Sequence, residues 1–294
     1  MFKDFELKEI NSFDRNCKSD STDRDILSKK IADSLEIDMS YYKSDFDNNG
    51  FTDLLIIGDR HNCGKGCKDS DWISCDFSVF ALMSFQSDSI KPIDLNSISK
   101  SLSLVPNIIE SNRYPFIELY KPEDYVIENG ELKKISRIIP VIYKYGTFIE
   151  QNDKNKKYDI ENIEFIAQGC VAGCPEFNIS VDKNKNGKFN AINYNWFDKD
   201  FSHDLEPNDI SGEFKTQVSD KHFNELYGII SYLDFPNLAN QYSSGAMHSS
   251  SVTVKITYDN GKIKTINDNG LIGTYGLKRV YEMFYELRFN QNWK

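Results

Sequence analysis

The sequence predicts an α+β protein of two domains, each a mostly antiparallel sheet with helices packed on one face. Three observations predict it. Short β-rich runs dominate the chain, and Asn186-Gly187 and Asn260-Gly261 stand between strand candidates as two-residue hairpin signals. Three segments instead carry apolar residues at helical spacing. The segment 151–158, Gln-Asn-Asp-Lys-Asn-Lys-Lys-Tyr, has almost no apolar content and separates two patterned regions. That break sets the expected domains at 1–150 and 157–294. The competing reading is a long hairpin loop within one domain.

The first helical segment follows Ser21 or Thr22 as cap, with Asp23 and Asp25 at the positive end of its dipole and Leu27, Ile31 and Leu35 on one face. Strands are expected at Asp53–Ile57, Phe77–Phe85, Ile90–Leu95 and Ile138–Phe148. Pro106, Pro115, Pro122 and Pro140 predict irregular connections in this half. In the second half the expected strands are Ile160–Ala167, Glu176–Val181, Lys188–Tyr194, Ser251–Tyr258 and Lys262–Ile266. Ser219 caps a helix carrying Phe223, Leu226, Tyr227, Ile230 and Leu233, and Pro236 stops it. A last helix repeats the pattern at Leu277, Val280, Tyr281, Phe284 and Leu287.

Composition sorts the function classes. Hydrophobic residues at 39% against 27% charged supply a packed core and exclude a disordered chain. A net charge of -10 disfavours nucleic acids and anionic membrane surfaces. The densest basic run, Lys154, Lys156 and Lys157, reads as a solvated linker. A basic protein partner is compatible with the charge, which bears on steering. No apolar stretch approaches the ~20 residues that cross a bilayer, so no transmembrane segment is expected. The opening Met1–Glu6 lacks the apolar core of a secretory signal. The expected location is therefore cytoplasmic, or periplasmic, lipoprotein-anchored or secreted if a leader has been removed.

The six cysteines bear on that choice: Cys17, Cys63, Cys67, Cys75, Cys170 and Cys174. An even set with two Cys-x-x-x-Cys pairs favours disulfides and an oxidising compartment, ahead of free thiols and of a metal site. Cys170 and Cys174 reach disulfide range if the segment makes one turn. A structural clasp outranks redox catalysis there, because three residues intervene where thioredoxin-type pairs have two. Cys63 and Cys67 fall in a long loop that needs a staple. Cys63–Cys67 with Cys17–Cys75 is one of about fifteen pairings that six cysteines allow. His61 with Cys63 and Cys67 begins a zinc pattern, but no fourth ligand stands nearby.

Asp45-Phe46-Asp47-Asn48-Asn49-Gly50-Phe51-Thr52-Asp53 places oxygen ligands at positions one, three, five and nine, and glycine at six. Hard oxygens suit a hard cation, so Asp45, Asp47, Asn49 and Asp53 are candidate ligands for Ca²⁺. The cadence resembles integrin-type calcium loops. Ile56 stands where an EF-hand has its bidentate Glu. The bland reading is an Asp/Asn/Gly turn between strands. Asp182-Lys183-Asn184-Lys185-Asn186-Gly187 has similar cadence, two lysines and fewer carboxylates, and reads as a hairpin turn only.

No catalytic residue is assigned. Ser243–His248 has neither a nucleophile elbow nor an oxyanion glycine pair. His203 and His222 stand alone. No carboxylate pair sits in a glycosidase motif, and neither a phosphate loop nor a dinucleotide fingerprint occurs.

Gln168-Gly169-Cys170-Val171-Ala172-Gly173-Cys174-Pro175-Glu176-Phe177 resembles the signature of an uncharacterised bacterial family, domain of unknown function 6438. That signature is Cys-Phe-Gly-x-Cys-Pro-x-Tyr leading into a strand and a glycine hairpin. The resemblance runs through Asn186-Gly187, the helix from Ser219, the Asn260-Gly261 hairpin and the final helix, over roughly residues 157–289. Val171 and Ala172 replace Phe-Gly, Phe177 replaces Tyr, and Ala167 stands where the family often has Arg. The resemblance implies an extracytoplasmic setting and no activity.

The leading expectation is a non-catalytic binding protein of the bacterial cell envelope, held by disulfides and calcium, whose ligand is a protein or small molecule. The alternatives are an acidic immunity-type antagonist of a basic partner protein, and a hydrolase whose carboxylates converge only in three dimensions.

Overall fold

The structure is a computed structural model. The residues it describes are 5–7, 31–37, 39–60, 78–85, 89–96, 104–111, 114–128, 131–154, 156–170, 173–195, 210–243 and 249–294. They are mostly β-strand, and the chain divides into two compact units, Met1–Gln151 and Asn152–Lys294.

The first unit contains two antiparallel sheets. One holds β1 (Phe5–Leu7), β3 (Asp53–Arg60), β4 (Ser78–Phe85) and β5 (Ser89–Asp94) in that order, with β2 (Tyr41–Ser44) also paired to β3. The other runs β6 (Val105–Ile109), β7 (Phe116–Glu128), β8 (Glu131–Lys144) and β9 (Thr147–Glu150). Side chains that alternate along each strand build the core. Leu55 and Ile57 on β3, Val79, Ala81 and Met83 on β4, and Ile117 and Leu119 on β7 are all buried. Phe46 meets Phe148 of β9 edge-on, their ring centroids 5.4 Å apart, which joins the two sheets. Ala32 and Ile37 pack with Ile57 and Val105. Two sheets therefore replace the single helix-covered sheet expected for this half. Of its expected helix only the turn 31–34 lies within the described residues.

Three prolines expected to mark irregular connections lie inside strands, each for a physical reason. Pro106 is on β6, an edge strand, where a missing N–H disrupts little. Pro122 falls at the register shift between Lys121 and Asp124 of the β7–β8 pair. Pro140 sits just past the end of β9, where its carbonyl accepts from the Gln151 N–H at 2.8 Å. The expected run Ile138–Phe148 is likewise two strands, because Tyr145 and Gly146 both take positive φ (54° and 80°) and close a two-residue hairpin.

The second unit is a seven-stranded sheet in the order β13-β12-β11-β10-β15-β16-β14. Its strands are β10 (Ile160–Gln168), β11 (Glu176–Asp182), β12 (Asn186–Asn193), β13 (Gly212–Gln217), β14 (Gln241–Ser243), β15 (Ser251–Tyr258) and β16 (Lys262–Asn269). All neighbours are antiparallel except β14 and β16. Two helices accompany them, α1 (Asp220–Tyr232) and α2 (Tyr275–Asn290); the Thr274 hydroxyl caps α2 by accepting from Leu277 N–H. Ile163, Phe165 and Ala167 of β10 alternate with half-exposed Asn162, Glu164 and Ile166, so one face of the central strand is covered. Phe165 stacks on Phe284 of α2 at 4.8 Å and 4° between planes. Trp293 packs on Phe189, and Lys294 exchanges both backbone hydrogen bonds with Lys215 on the edge strand β13. The segment 152–159 is tied to this unit: Asn152 N–H donates to the Tyr232 hydroxyl at 2.8 Å, and Tyr158 donates to Asp234.

Two buried polar groups fix the sheet end beside β12. Asn195 donates to the carbonyls of Glu176 and Asn193 and accepts from the Arg288 guanidinium at 3.2 Å. Arg288 is itself buried against Phe177, Tyr285 and Phe289. Burial pulls its pKa down to about 10, which leaves it a cation at neutral pH.

Phe284→Ala should cost about 3–5 kcal/mol in urea unfolding of the second unit, from lost transfer energy and the cavity left behind. Ile263→Ala, at a side chain 58% exposed, should stay within about 0.5 kcal/mol of the parent.

Candidate metal centre

β2 ends at Ser44, which pairs with Asp53 at the start of β3, so residues 45–52 form the connection of a hairpin. The turn is built by its own carboxylates. Asp45 accepts backbone N–H from Asn49 at 3.0 Å and Gly50 at 2.8 Å on its two oxygens. Gly50 has φ +86°, the left-handed region where a side chain is strained. Asp47 accepts the Asn49 N–H at 3.2 Å and the Asn49 amide at 2.9 Å. Asp53 is fully buried, and its two oxygens accept from Phe46 N–H at 2.8 Å and Ser84 N–H at 2.7 Å.

These bonds bring together one oxygen each from Asp45, Asp47 and Asp53, all within 4.8 Å of one another. Among the described residues, none of the three forms an ion pair with a lysine or arginine. Burial and the neighbouring carboxylates raise the pKa of Asp53 against the pull of its two backbone donors. Desolvation, followed by the charge of Asp45, raises Asp47. Three hard oxygens this close together form a set a divalent cation would neutralise. Asn49, the fourth expected ligand, lies in the same turn and has a bracing role there. Its side-chain oxygen accepts the Phe51 N–H at 2.8 Å and its amide also reaches the Ser84 carbonyl at 2.9 Å, so it braces the turn against β4.

The second Asp/Asn/Gly turn is a control within the same molecule. Asp182 accepts from Asn184 N–H, Asn186 N–H and the Asn186 amide. Burial raises its pKa, but these three donors and Lys188 outweigh that and lower it. The lone carboxylate of Asp182 is favoured as an anion, whereas Asp47 and Asp53, with other carboxylates beside them, are shifted the opposite way.

Elsewhere, Cys170 and Cys174 form a disulfide, with Cα atoms 5.1 Å apart, in the connection from β10 to β11. Cys17, Cys63, Cys67, Cys75, His61, His203 and His248 lie outside the described residues. His222 is half-buried, its Nδ1 2.9 Å from the Ser219 hydroxyl and 2.7 Å from the Gln291 amide. Sequence reasoning missed Ser84, whose backbone anchors Asp53, and Ser250, whose hydroxyl lies 3.1 Å from Cys174 Sγ. Neither belongs to a motif; both arrive through strand register.

The raised pKa values of Asp47 and Asp53 give a pH signature once cations are chelated. The folded chain holds these protons more tightly than the unfolded one. Their stabilising contribution is therefore complete below the unfolded value of 3.8 and is lost as pH rises through the folded values. Asp47→Asn removes one mutually repelling charge. In EDTA at pH 7 it should raise the melting temperature of the first unit by about 2–4 °C, and near pH 4 change it little, as read by calorimetry.

No curated protein and no solved structure matches this chain. Residues 161–288 match a family described as a domain of unknown function, so this stretch, from β10 to α2, is where the chain is similar to DUF6438.

Proposed function

We propose that this chain is a non-catalytic binding protein of the bacterial cell envelope, whose first unit is braced by Ca²⁺ at Asp45, Asp47 and Asp53. The convergence of the three carboxylates carries the reading. Calcium suits them because they are hard oxygen donors on an irregular turn, and Ca²⁺ accepts irregular oxygen shells that Mg²⁺ does not. Asp53 would tie the ion to the sheet through its bonds to Phe46 and Ser84, and Asp45 would tie it to the turn. The envelope assignment is supported by the Cys170–Cys174 bridge, which persists in oxidising compartments, and by the similarity to DUF6438. In the second unit, the contacts of α2 with Phe165 and Phe177 support a two-layer scaffold with helices on one face, leaving the other to a protein or small-molecule ligand.

Calcium at a hundredfold excess over its dissociation constant should stabilise the first unit by about 2.7 kcal/mol, seen as a rise in its thermal transition. Asp45→Asn or Asp47→Asn should abolish the shift. A wild-type transition and a titration calorimetry trace that both ignore millimolar Ca²⁺ would remove the cation from this reading. Mass spectrometry of the natively expressed chain tests the compartment: Cys170 and Cys174 should be linked, and six free thiols would contradict an envelope location.

A further inference from the structure

The bridge between Cys170 and Cys174 lies where β10 hands over to β11, and both residues are half-buried. Its two sulfurs sit in different surroundings. Cys170 Sγ accepts a hydrogen bond from Cys174 N–H at 3.2 Å, a donor carried by the same small covalent ring. Cys174 Sγ lies 3.1 Å from Ser250 Oγ. A bridged sulfur has no hydrogen, so the hydroxyl is the donor. Ser250 stands outside the ring, just before β15, and its carbonyl accepts from Gly270 N–H at 2.8 Å. Its backbone is therefore anchored independently of the bridge, which keeps the hydroxyl within reach of Cys174, whereas the contact to Cys170 depends on the ring's own geometry.

We propose that this bridge is a thiol–disulfide exchange site with a fixed direction: an incoming thiolate attacks Cys170 Sγ, and Cys174 leaves. A hydrogen-bond donor held on a sulfur stabilises its thiolate, and the better-stabilised thiolate is the better leaving group. In the first step a small-molecule thiolate RS⁻ forms an S–S bond to Cys170, the Cys170–Cys174 bond breaks, and its electron pair departs on Cys174 Sγ, which keeps the Ser250 hydrogen bond. In the second step another RS⁻ attacks the R sulfur. RSSR departs, and Cys170 is left as a thiolate that takes up a proton from solvent. Two RSH are oxidised and one bridge is reduced. The loop closed by the bridge is short, so its closing contributes less chain-entropy stabilisation than a long loop would, and half-exposure leaves it open to attack. Opening would release the turn that leads through Pro175 into β11. This inference does not depend on the cation site or on an envelope ligand, and it can fail without either.

Reduced glutathione is the probe. The full chain is incubated with it near neutral pH, quenched by alkylation and mapped by peptide mass spectrometry, which separates this pair from the other four cysteines. The expected result is glutathione on Cys170 with alkylated Cys174. Ser250→Ala should slow formation of that adduct by about threefold, the effect of raising the leaving thiol's pKa by roughly one unit. The wild-type adduct position is read independently of whether that variant folds. Adducts on Cys174 or divided equally, a bridge untouched by glutathione, or a folded Ser250→Ala variant that reacts at the parent rate would each overturn the proposal.

Discussion

The second unit depends on the alternation of side chains along β10. That strand is central in the sheet, with β11 on one side and β15 on the other, so whichever face it buries decides the face for both neighbours. Phe165 sets the choice by stacking on Phe284, and Phe177 and Val254, directly across or diagonal to it, follow on the same side. Slipping the register by one residue would turn Phe165 out and Glu164 and Ile166 in. The expected two-residue turn at Asn260-Gly261 is in fact the three residues Asp259–Gly261, all at positive φ, which pair Tyr258 with Lys262. This local turn and the buried face agree, and such agreement is what makes a fold specific.

The first unit carries the opposite lesson. At its β2–β3 turn the local geometry is satisfied and the electrostatics are not. Every oxygen of Asp45 and Asp53 has a backbone donor, yet the three carboxylates still stand within reach of one another. Hydrogen bonds to N–H groups stabilise a carboxylate through fixed dipoles; they do not remove the repulsion between whole charges. The Asp182 turn shows what the same residues do when only one acid is present.

Much of this was legible in the sequence where a pattern was long or punctuated. Ser251–Tyr258 is a strand with the expected bounds, and α1 and α2 follow their apolar periodicity. The carboxylate turn was legible because its acidic residues are close in sequence. What escaped had non-local causes. The prolines of β6, β7 and β8 look like breakers until the sheet order shows that one lies on an edge, one at a register shift and one just past the end of the neighbouring strand β9. Tyr145 hides a hairpin because an aromatic residue at positive φ is uncommon. Lys262–Ile266 was too short because β16 continues to Asn269 with polar residues, its buried Asp268 binding the N–H groups of Ile272 and Gly273 ahead of α2.

Asn195 has one more property. Its carbonyl accepts from Ile210 N–H at 3.1 Å, so the chain departs from the sheet and returns to it at a single hydrogen-bonded point. Arg288 and the carbonyls of β11 and β12 pin the same residue, so one buried amide holds strand ends and a helix that are far apart in the chain. Asn195 thus works as a rivet: losing that single amide would loosen β11, β12, the approach to β13 and the end of α2 together, and would strand a buried guanidinium.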